Sequence, residues 1–368
     1  MILSYRYRLL PSERQHKALA WLLEEQRVLY NAGLEQGIGC YRKTGKGISY
    51  VDQCKSLTLC RRDLPEMGAL PVNVQRWTLK RLDEAFPGFF TRVKARDGKA
   101  GFPRLRGKGR WNSLGFAEFS GIRSDGRLRL AAMPSALKLH LQRPFPDAAD
   151  IRSRVFRRAG RNWYASLQIA LEAAEKRTVA TMVGVDLGLK VFAYCSHGLI
   201  LPNPRIAGKA ECAQRIAQRA LARCKRGSSG RRKVKARLAR LHRKIADTRN
   251  TWLHRQSAAL VKRTDLIVVE DLKVKNMIGH PTLARSMADG SWSKLPSMLS
   301  YKAAKAGSVL IGVDPGNTSQ KCPGCGKLVA KSPAARTPAC PQCALTIDRD
   351  WNASLNILRA GLSAGWSR

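Results

Sequence analysis

The sequence predicts a mixed fold, α/β plus all-β: an N-terminal β-barrel carrying a helical insertion, then an α/β domain interrupted by a small cysteine-rich ribbon. Three observations lead there. Short strand-like runs at residues 2–9, 128–130, 137–141 and 163–169 bracket a long helical stretch. From Met182 onward, apolar runs of strand length end in acid, in VGVDLG (183–188) and LIVVED (266–271). Two Cys-x-x-Cys pairs then lie between a third buried run, SVLIGVD (308–314), and a closing helical pattern.

Taken in order, residues 2–9 alternate weakly as a strand, and Pro11-Ser12 open a helix with Ser12 and Gln15 at capping-box spacing. That helix carries Leu19, Leu22, Leu23, Gln26 and Tyr30 and is expected to run to about Gly33. A second helical pattern covers residues 53–62. A third runs from about Pro71 to Phe86, with Val74, Leu79 and Leu82 on its apolar side; Pro87-Gly88 is expected to kink or end it. KARDGKAGFPRLRGKGR (94–110) is a Gly- and Lys/Arg-rich connector, after which the strand-like runs can close a small barrel with residues 2–9. Beyond Met182, VFAYCS (191–196) reads as the antiparallel neighbour of VGVDLG. In residues 205–263, Leu238, Leu241, Ile245 and Trp252 keep helical spacing, so one stripe packs and the rest is cationic.

The charge narrows the function. With 67 Lys and Arg against 26 Asp and Glu, the chain carries +41. A folded domain tolerates that self-repulsion when a polyanion neutralises it, and nucleic acid is the usual one. Residues 205–263 alone hold nineteen basic residues against Glu211 and Asp247, more than a solvated helix face needs. Trp77, Phe89, Phe102 and Trp111 lie among basic residues where they could stack on bases, although core packing is the more ordinary role of each. No run of about 18 apolar residues occurs, so no membrane partner is expected. Arg6 and Arg8 interrupt the first apolar run, which therefore does not read as a signal peptide. Six of the ten cysteines (Cys40, Cys54, Cys60, Cys195, Cys212, Cys224) are scattered, as reduced thiols of a cytoplasmic protein would be.

The other four carry chemistry. Cys322-x-x-Cys325 and Cys340-x-x-Cys343 sit in matched knuckles, CPGCG and CPQCA, separated by residues 326–339. Two residues between thiolates let a tight turn aim both sulfurs at one tetrahedral Zn²⁺, and a hairpin brings the second pair round. All four positions are filled by protein, so this zinc is structural; a redox dithiol would not need two matched pairs. Among the acids, Asp186 ends one strand, Glu270 ends the next, and Asp350 opens the helix RDWNASLNILRAG. A lone strand-end acid is more often a turn residue. The order strand-Asp, strand-Glu, helix-Asp in so basic a chain points instead to carboxylates converging on divalent cations, as in two-metal phosphodiester hydrolysis. Gly188 then removes bulk where a phosphate must approach. Asp271, Asp314 and Asp348 read as turn, loop and cap residues.

These motifs carry a resemblance. YRYRLLPS with VLYNAGLE, LKRLDEAFPGFF through GFPRLRGKGRW, GVDLGLKVFA, LHRKIADTRNTWLHRQSAALV, IVVEDLKVKNM, LARSMADGSWSKLPSMLSYKA, and VDPGNTSQKCPGCG through DRDWNASLNIL span nearly the whole chain. The chain is similar to TnpB, the accessory protein of certain bacterial insertion sequences and a relative of compact type V CRISPR effectors. The resemblance implies an RNA-guided DNA endonuclease. Its RuvC nuclease domain, of RNase H-like fold, would occupy 181–313 and 347–368, interrupted by a zinc ribbon at 314–346. A wedge-like β-barrel would occupy 1–9 and 97–180, with a helical recognition insertion at 10–96. Asp186, Glu270 and Asp350 become catalytic ligands of two Mg²⁺, and Cys322, Cys325, Cys340 and Cys343 ligands of one Zn²⁺. The implied partners are a guide RNA from the transposon end and double-stranded target DNA opened next to a short target-adjacent motif; the protein is expected to be monomeric, in the bacterial cytoplasm. Two departures are visible: Pro87-Gly88 interrupts a helix usually continuous in relatives, and Ser113–Phe116 keeps only part of a basic-aromatic pattern. The competing readings are a nuclease-silent RNA-guided repressor, which should lack one of the three acids, a DNA-joining transposase, and a zinc-ribbon transcription factor, which leaves Asp186 and Glu270 unexplained.

Overall fold

Alternation decides the first strand. In β1 (Ile2–Leu10) Leu3, Tyr5, Tyr7 and Leu9 are buried and every intervening side chain is exposed. A computed structural model gives the rest of the architecture, describing all residues except 96–100, 117–125, 146–149, 173, 278–283, 331–335 and 364–368. The chain divides into two compact units, Met1–Leu171 and Glu172–Arg368.

In the first unit, β1 leads into a helical insertion: α1 (Glu13–Thr44), α2 (Tyr50–Asp63), α3 (Pro65–Gly68), α4 (Val72–Asp83) and α5 (Phe86–Ala95). The Ser12–Gln15 capping box forms as expected. The helix does not stop at Gly33, however; it continues to Thr44 and closes at Gly45 in the left-handed conformation (φ 68°). Gly33 and Gly37 are close-approach positions instead, where a Cβ would come 3.0 Å from Leu82 and from the Phe86 ring. The Pro87 expectation is also corrected. α4 ends at Asp83, and Pro87 lies in the first turn of α5, where its missing N–H costs nothing.

Five further strands complete one antiparallel sheet: β2 (Ser113–Gly115), β3 (Arg127–Leu128), β4 (Leu137–His140), β5 (Asp150–Ala159) and β6 (Asn162–Ala170). Their order is β2-β5-β6-β1-β4-β3, and no ladder joins the end strands β2 and β3 among the described residues. β5 is a strand the pattern did not announce. Four arginines and an aspartate mask its alternation, yet Phe156 is fully buried and nine of its residues pair with β6. The aromatics flagged in this unit are packed: Phe89 and Trp111 are buried, Phe102 stacks on Phe89 at 4.3 Å, and Trp77 lies against Gly115 and under Arg81.

The second unit is a five-stranded sheet in the order β11-β10-β7-β8-β9, built from β7 (Met182–Leu187), β8 (Val191–Cys195), β9 (Ile200–Pro202), β10 (Leu266–Glu270) and β11 (Val309–Val313). β10 runs parallel to both β7 and β11, while β8 and β9 are antiparallel, as expected for VFAYCS. β9 was not foreseen, and β11 is a half-buried edge strand, not a buried one. Odd-numbered residues of β7 and β10 face α7 (Ser229–Arg263) and, after the short helices α8 (Val274–Met277) and α9 (Ala284–Gly290), α10 (Lys294–Ala306), so Val183, Val185, Ile267 and Val269 pack with Leu253, Leu260, Leu295 and Leu299. Even-numbered ones face the last helix, α11 (Arg349–Ser363), where Ile357 is buried against Leu266 and Val268. Gly184 sets that contact. A Cβ there would lie 2.1 Å from the Ser354 carbonyl oxygen and 2.7 Å from the Leu358 nitrogen. Gly184→Ala is therefore expected to push α11 off the sheet and cost about 1–3 kcal/mol; thermal unfolding measures it, and an unchanged Tm would show that the contact is not tight.

Candidate active site

Register brings the first two acids together. Val185 pairs with Val269, so Asp186 and Glu270 follow side by side at the C-terminal ends of adjacent parallel strands, the end of an open α/β sheet where ligands bind. Asp350 enters from the first turn of α11. Burial, followed by the charges of Glu270 and Asp350, pushes the Asp186 carboxyl up to about 8. Burial also raises Glu270, opposed by the Thr318 hydroxyl, which donates to its Oε1 at 2.6 Å. Asp350 Oδ2 accepts from Arg336 at 3.0 Å, and the same guanidinium lies 3.7 Å from Asp348. Asp186 and Glu270 at neighbouring strand ends, with the Asp350 charge near enough to act on Asp186, offer hard carboxylate oxygens suited to Mg²⁺, whose charge would relieve the repulsion.

The neighbouring acids take the places expected. Asp348 caps α11, its Oδ1 accepting from the N–H groups of Asp350 (2.8 Å) and Trp351 (3.2 Å). Asp314 closes a turn by accepting from Gly316, and the Asp271 N–H bonds the Val313 carbonyl beside the strand end. Gly188 is corrected: a Cβ there would meet the Val191 carbonyl at 2.8 Å, so it serves the β7–β8 turn.

The four cysteines form a cluster whose sulfurs all lie within 4.8 Å of one another. Cys322–Cys343 and Cys325–Cys340 are each 3.7 Å apart, matching the edge of about 3.8 Å of a tetrahedron with Zn–S bonds of ~2.3 Å. The Cys325 and Gly324 N–H groups point at Cys322 and pull its thiol down to about 6; the Cys343 N–H lowers Cys340 likewise. These lowered thiols are ready to bind as thiolates. Two short bridges, Lys321–Leu328 and Ala339–Thr346, shape the knuckles.

What the sequence reading missed is how the ribbon is tied to the acids. Buried Asn352 and Asn356, one turn apart on α11, both donate to the Lys321 carbonyl, at 2.9 and 2.6 Å. Asn356 also donates to the Thr318 carbonyl at 2.8 Å, and Arg359 reaches the Pro323 carbonyl. Thr318 in the ribbon's entry loop holds Glu270, and Arg336 within the ribbon holds Asp350. The i, i+4 asparagines in NASLN were a local signal for this clamp; nothing local marked Thr318 or Arg336.

Away from the acids, α6 (Ile206–Arg223) and α7 form a hairpin. Leu238, Leu241 and Ile245 supply its half-buried to buried stripe, and Trp252 packs edge-on against Phe192 at 4.6 Å. Lys209, Arg215, Arg219 and Arg223 on α6, and Arg232, Lys233, Lys235, Arg237, Arg240 and Lys244 on α7, are exposed. This is a cationic surface of the kind that binds phosphate backbones.

Residues 166–280 match the family described as OrfB_IS605, "Probable transposase", and residues 292–357 the one described as Cas12f1-like, TNB domain. A Streptomyces pristinaespiralis protein, provisionally named an RNA-guided DNA endonuclease, is 31% identical over 374 residues, covering 98% of this chain and 90% of its own. InsQ of Escherichia coli K12, given the same provisional name, is 25% identical and covers 97% of this chain and 92% of its own. Among solved structures, a cryo-EM Cas12f1–sgRNA–target DNA complex matches in fold, with TM-score 0.58 and 15% identity over 94% of this chain and 83% of that one.

Proposed function

The chain belongs to the TnpB family, and from that premise we propose that it is an RNA-guided DNA endonuclease. The observation that carries the reading is Asp186 and Glu270 side by side at two strand ends, with Asp350 close enough to raise Asp186. On this reading the first unit, together with residues 172–180 of the second, is a wedge-like β-barrel (1–9, 97–180) with a recognition insertion (10–96). The second is a RuvC-type nuclease of RNase H-like fold (181–313, 347–368), with the zinc ribbon at 314–346.

Asp186, Glu270 and Asp350 would hold two Mg²⁺, and the chemistry those ions would supply is activation of a water and relief of charge on the leaving oxygen of a phosphodiester. Thr318 orients Glu270, Asp348 fixes where α11 starts and hence where Asp350 stands, and Arg336 offsets negative charge beside it. The four cysteines hold one structural Zn²⁺. Sequence choice passes to a guide RNA from the transposon end, paired with double-stranded target DNA next to a short motif, and the cationic surfaces hold both backbones. The working protein is a monomer in the bacterial cytoplasm; no helix among the described residues is long and apolar enough to cross a membrane. A nuclease-silent repressor needs a missing acid, and all three are present.

Two measurements bear on this. Protein purified from cells carrying its native locus should bring a discrete RNA that runs from the element's end into flanking sequence; random RNA would contradict the reading. The second concerns pH. A carboxylate ligates only when ionised, so below about 8 a cation must expel the Asp186 proton. Mg²⁺ affinity is therefore expected to climb from pH 6 towards 8 and level off above it. Calorimetry at pH 7 in buffers of different ionisation heat should detect release of about one proton; none released would contradict the assignment.

A further inference from the structure

Two aromatic side chains flank the acids without belonging to the core. Register sets Tyr194 of β8 directly opposite Asp186, and Ile200 of β9 directly opposite Tyr194. These three residues therefore point to one face of the sheet, the face on which α11 begins. Trp351, the residue after Asp350, stacks on Tyr194 with ring centroids 6.5 Å apart and planes 19° from parallel. Its indole Nε1 donates to the Ser196 carbonyl at 3.0 Å. Trp351 as a residue is nevertheless 37% exposed, and Ile200 is 46% exposed.

A tryptophan that serves a core hides its ring among apolar neighbours. Here a hydrogen bond and one stacked tyrosine hold the ring in place while the residue as a whole remains open to water. A side chain already locked has little rotamer freedom left to lose when a ligand arrives. The ligand must present a flat apolar face beside a site built for phosphodiesters, on a chain of +41. A nucleobase of single-stranded DNA does so; bases inside a duplex are covered by their own stacking.

We propose that Tyr194 and Trp351 form a stacking platform for a base of single-stranded DNA adjoining the phosphodiester held at Asp186, Glu270 and Asp350. The position of that phosphodiester rests on the nuclease reading above; the stacking needs no cleavage. The platform orients the strand, so Tyr194 and Trp351 are positioning residues, and every strand can use them because every base has a π-face.

The test uses the full-length, zinc-loaded protein without added Mg²⁺ and with a short single-stranded oligodeoxynucleotide carrying 5-iododeoxyuridine. After irradiation, crosslinked peptides are mapped, and binding is titrated across salt concentrations for wild type, Trp351→Ala, Trp351→Phe and Tyr194→Leu. Crosslinks should fall on Tyr194 or Trp351. Trp351→Ala and Tyr194→Leu should lose those crosslinks and weaken binding by up to roughly tenfold with an unchanged salt slope, because no phosphate contact is removed. Trp351→Phe should recover most of both. Crosslinks that map elsewhere, or that persist in both ring-removing variants, overturn the proposal. Zinc content and Tm check that each variant folds; Tyr194→Leu decides if Trp351→Ala does not. A protein that crosslinks here yet never cuts DNA keeps the platform and loses the nuclease reading. One that cuts with its crosslinks elsewhere does the reverse.

Discussion

Asp186→Ala is expected to lower guided DNA cleavage by roughly a thousandfold or more, since a bound metal supplies several kcal/mol of transition-state stabilisation. Guide RNA and target DNA should still bind, because the substitution removes a metal ligand and no cationic contact. The fold should survive as well. Asp186 has a native pKa of about 8, far above its unfolded value, so the native state binds the extra proton between about pH 4 and pH 8. Its contribution to stability is present at low pH and is lost as pH rises through that window. In metal-free protein the alanine variant should therefore lose less stability towards alkaline pH than wild type. Cleavage and gel-shift assays run in parallel decide the matter; undiminished cutting would remove Asp186 from the mechanism.

Cys340→Ser is expected to have the largest structural effect. Binding free energies of structural zinc in small zinc-finger peptides are about 10–16 kcal/mol, so losing one of four thiolates is expected to release the metal or cripple its hold. The damage should spread beyond the knuckles. The ribbon's entry loop is clamped to α11 through Lys321, Thr318, Asn352 and Asn356, and Thr318 in turn holds Glu270. Disorder starting at the zinc thus reaches two of the three acids. Wild type should contain one zinc per chain, and the variant should show less zinc, a lower Tm and weaker cleavage. A zinc-free protein that folds and cuts normally would refute the structural role.

What could be read from the sequence was what depends on residue type at short range. The paired cysteines state their own geometry, Asp186 and Glu270 each close a run whose apolar pattern shows a buried strand, and Asp350 opens a helical one. Register then did what linear order could not, placing Asp186 beside Glu270 and Tyr194 opposite Asp186. Strands were missed where charge hides alternation, as in β5, or where they are three residues long, as in β9. Glycine and proline mislead about helix ends: Gly33 admits the Leu82 side chain inside a helix that runs on to Thr44, and Pro87 lies in the first turn of a helix. Arg336 and Thr318 were invisible because their partners lie fourteen and forty-eight residues away in sequence, and only the fold brings them together.

The most direct test is to reprogramme the guide. The protein, loaded with element-end RNA whose guide segment has been replaced, is given Mg²⁺ and a plasmid that carries the matching sequence beside varied flanks. Cutting should follow the new guide, require a particular short flank, and vanish with Asp186→Ala, Glu270→Ala or Asp350→Ala. Cutting that ignores the guide, or no cutting of any matched plasmid by zinc-loaded protein, would contradict the account.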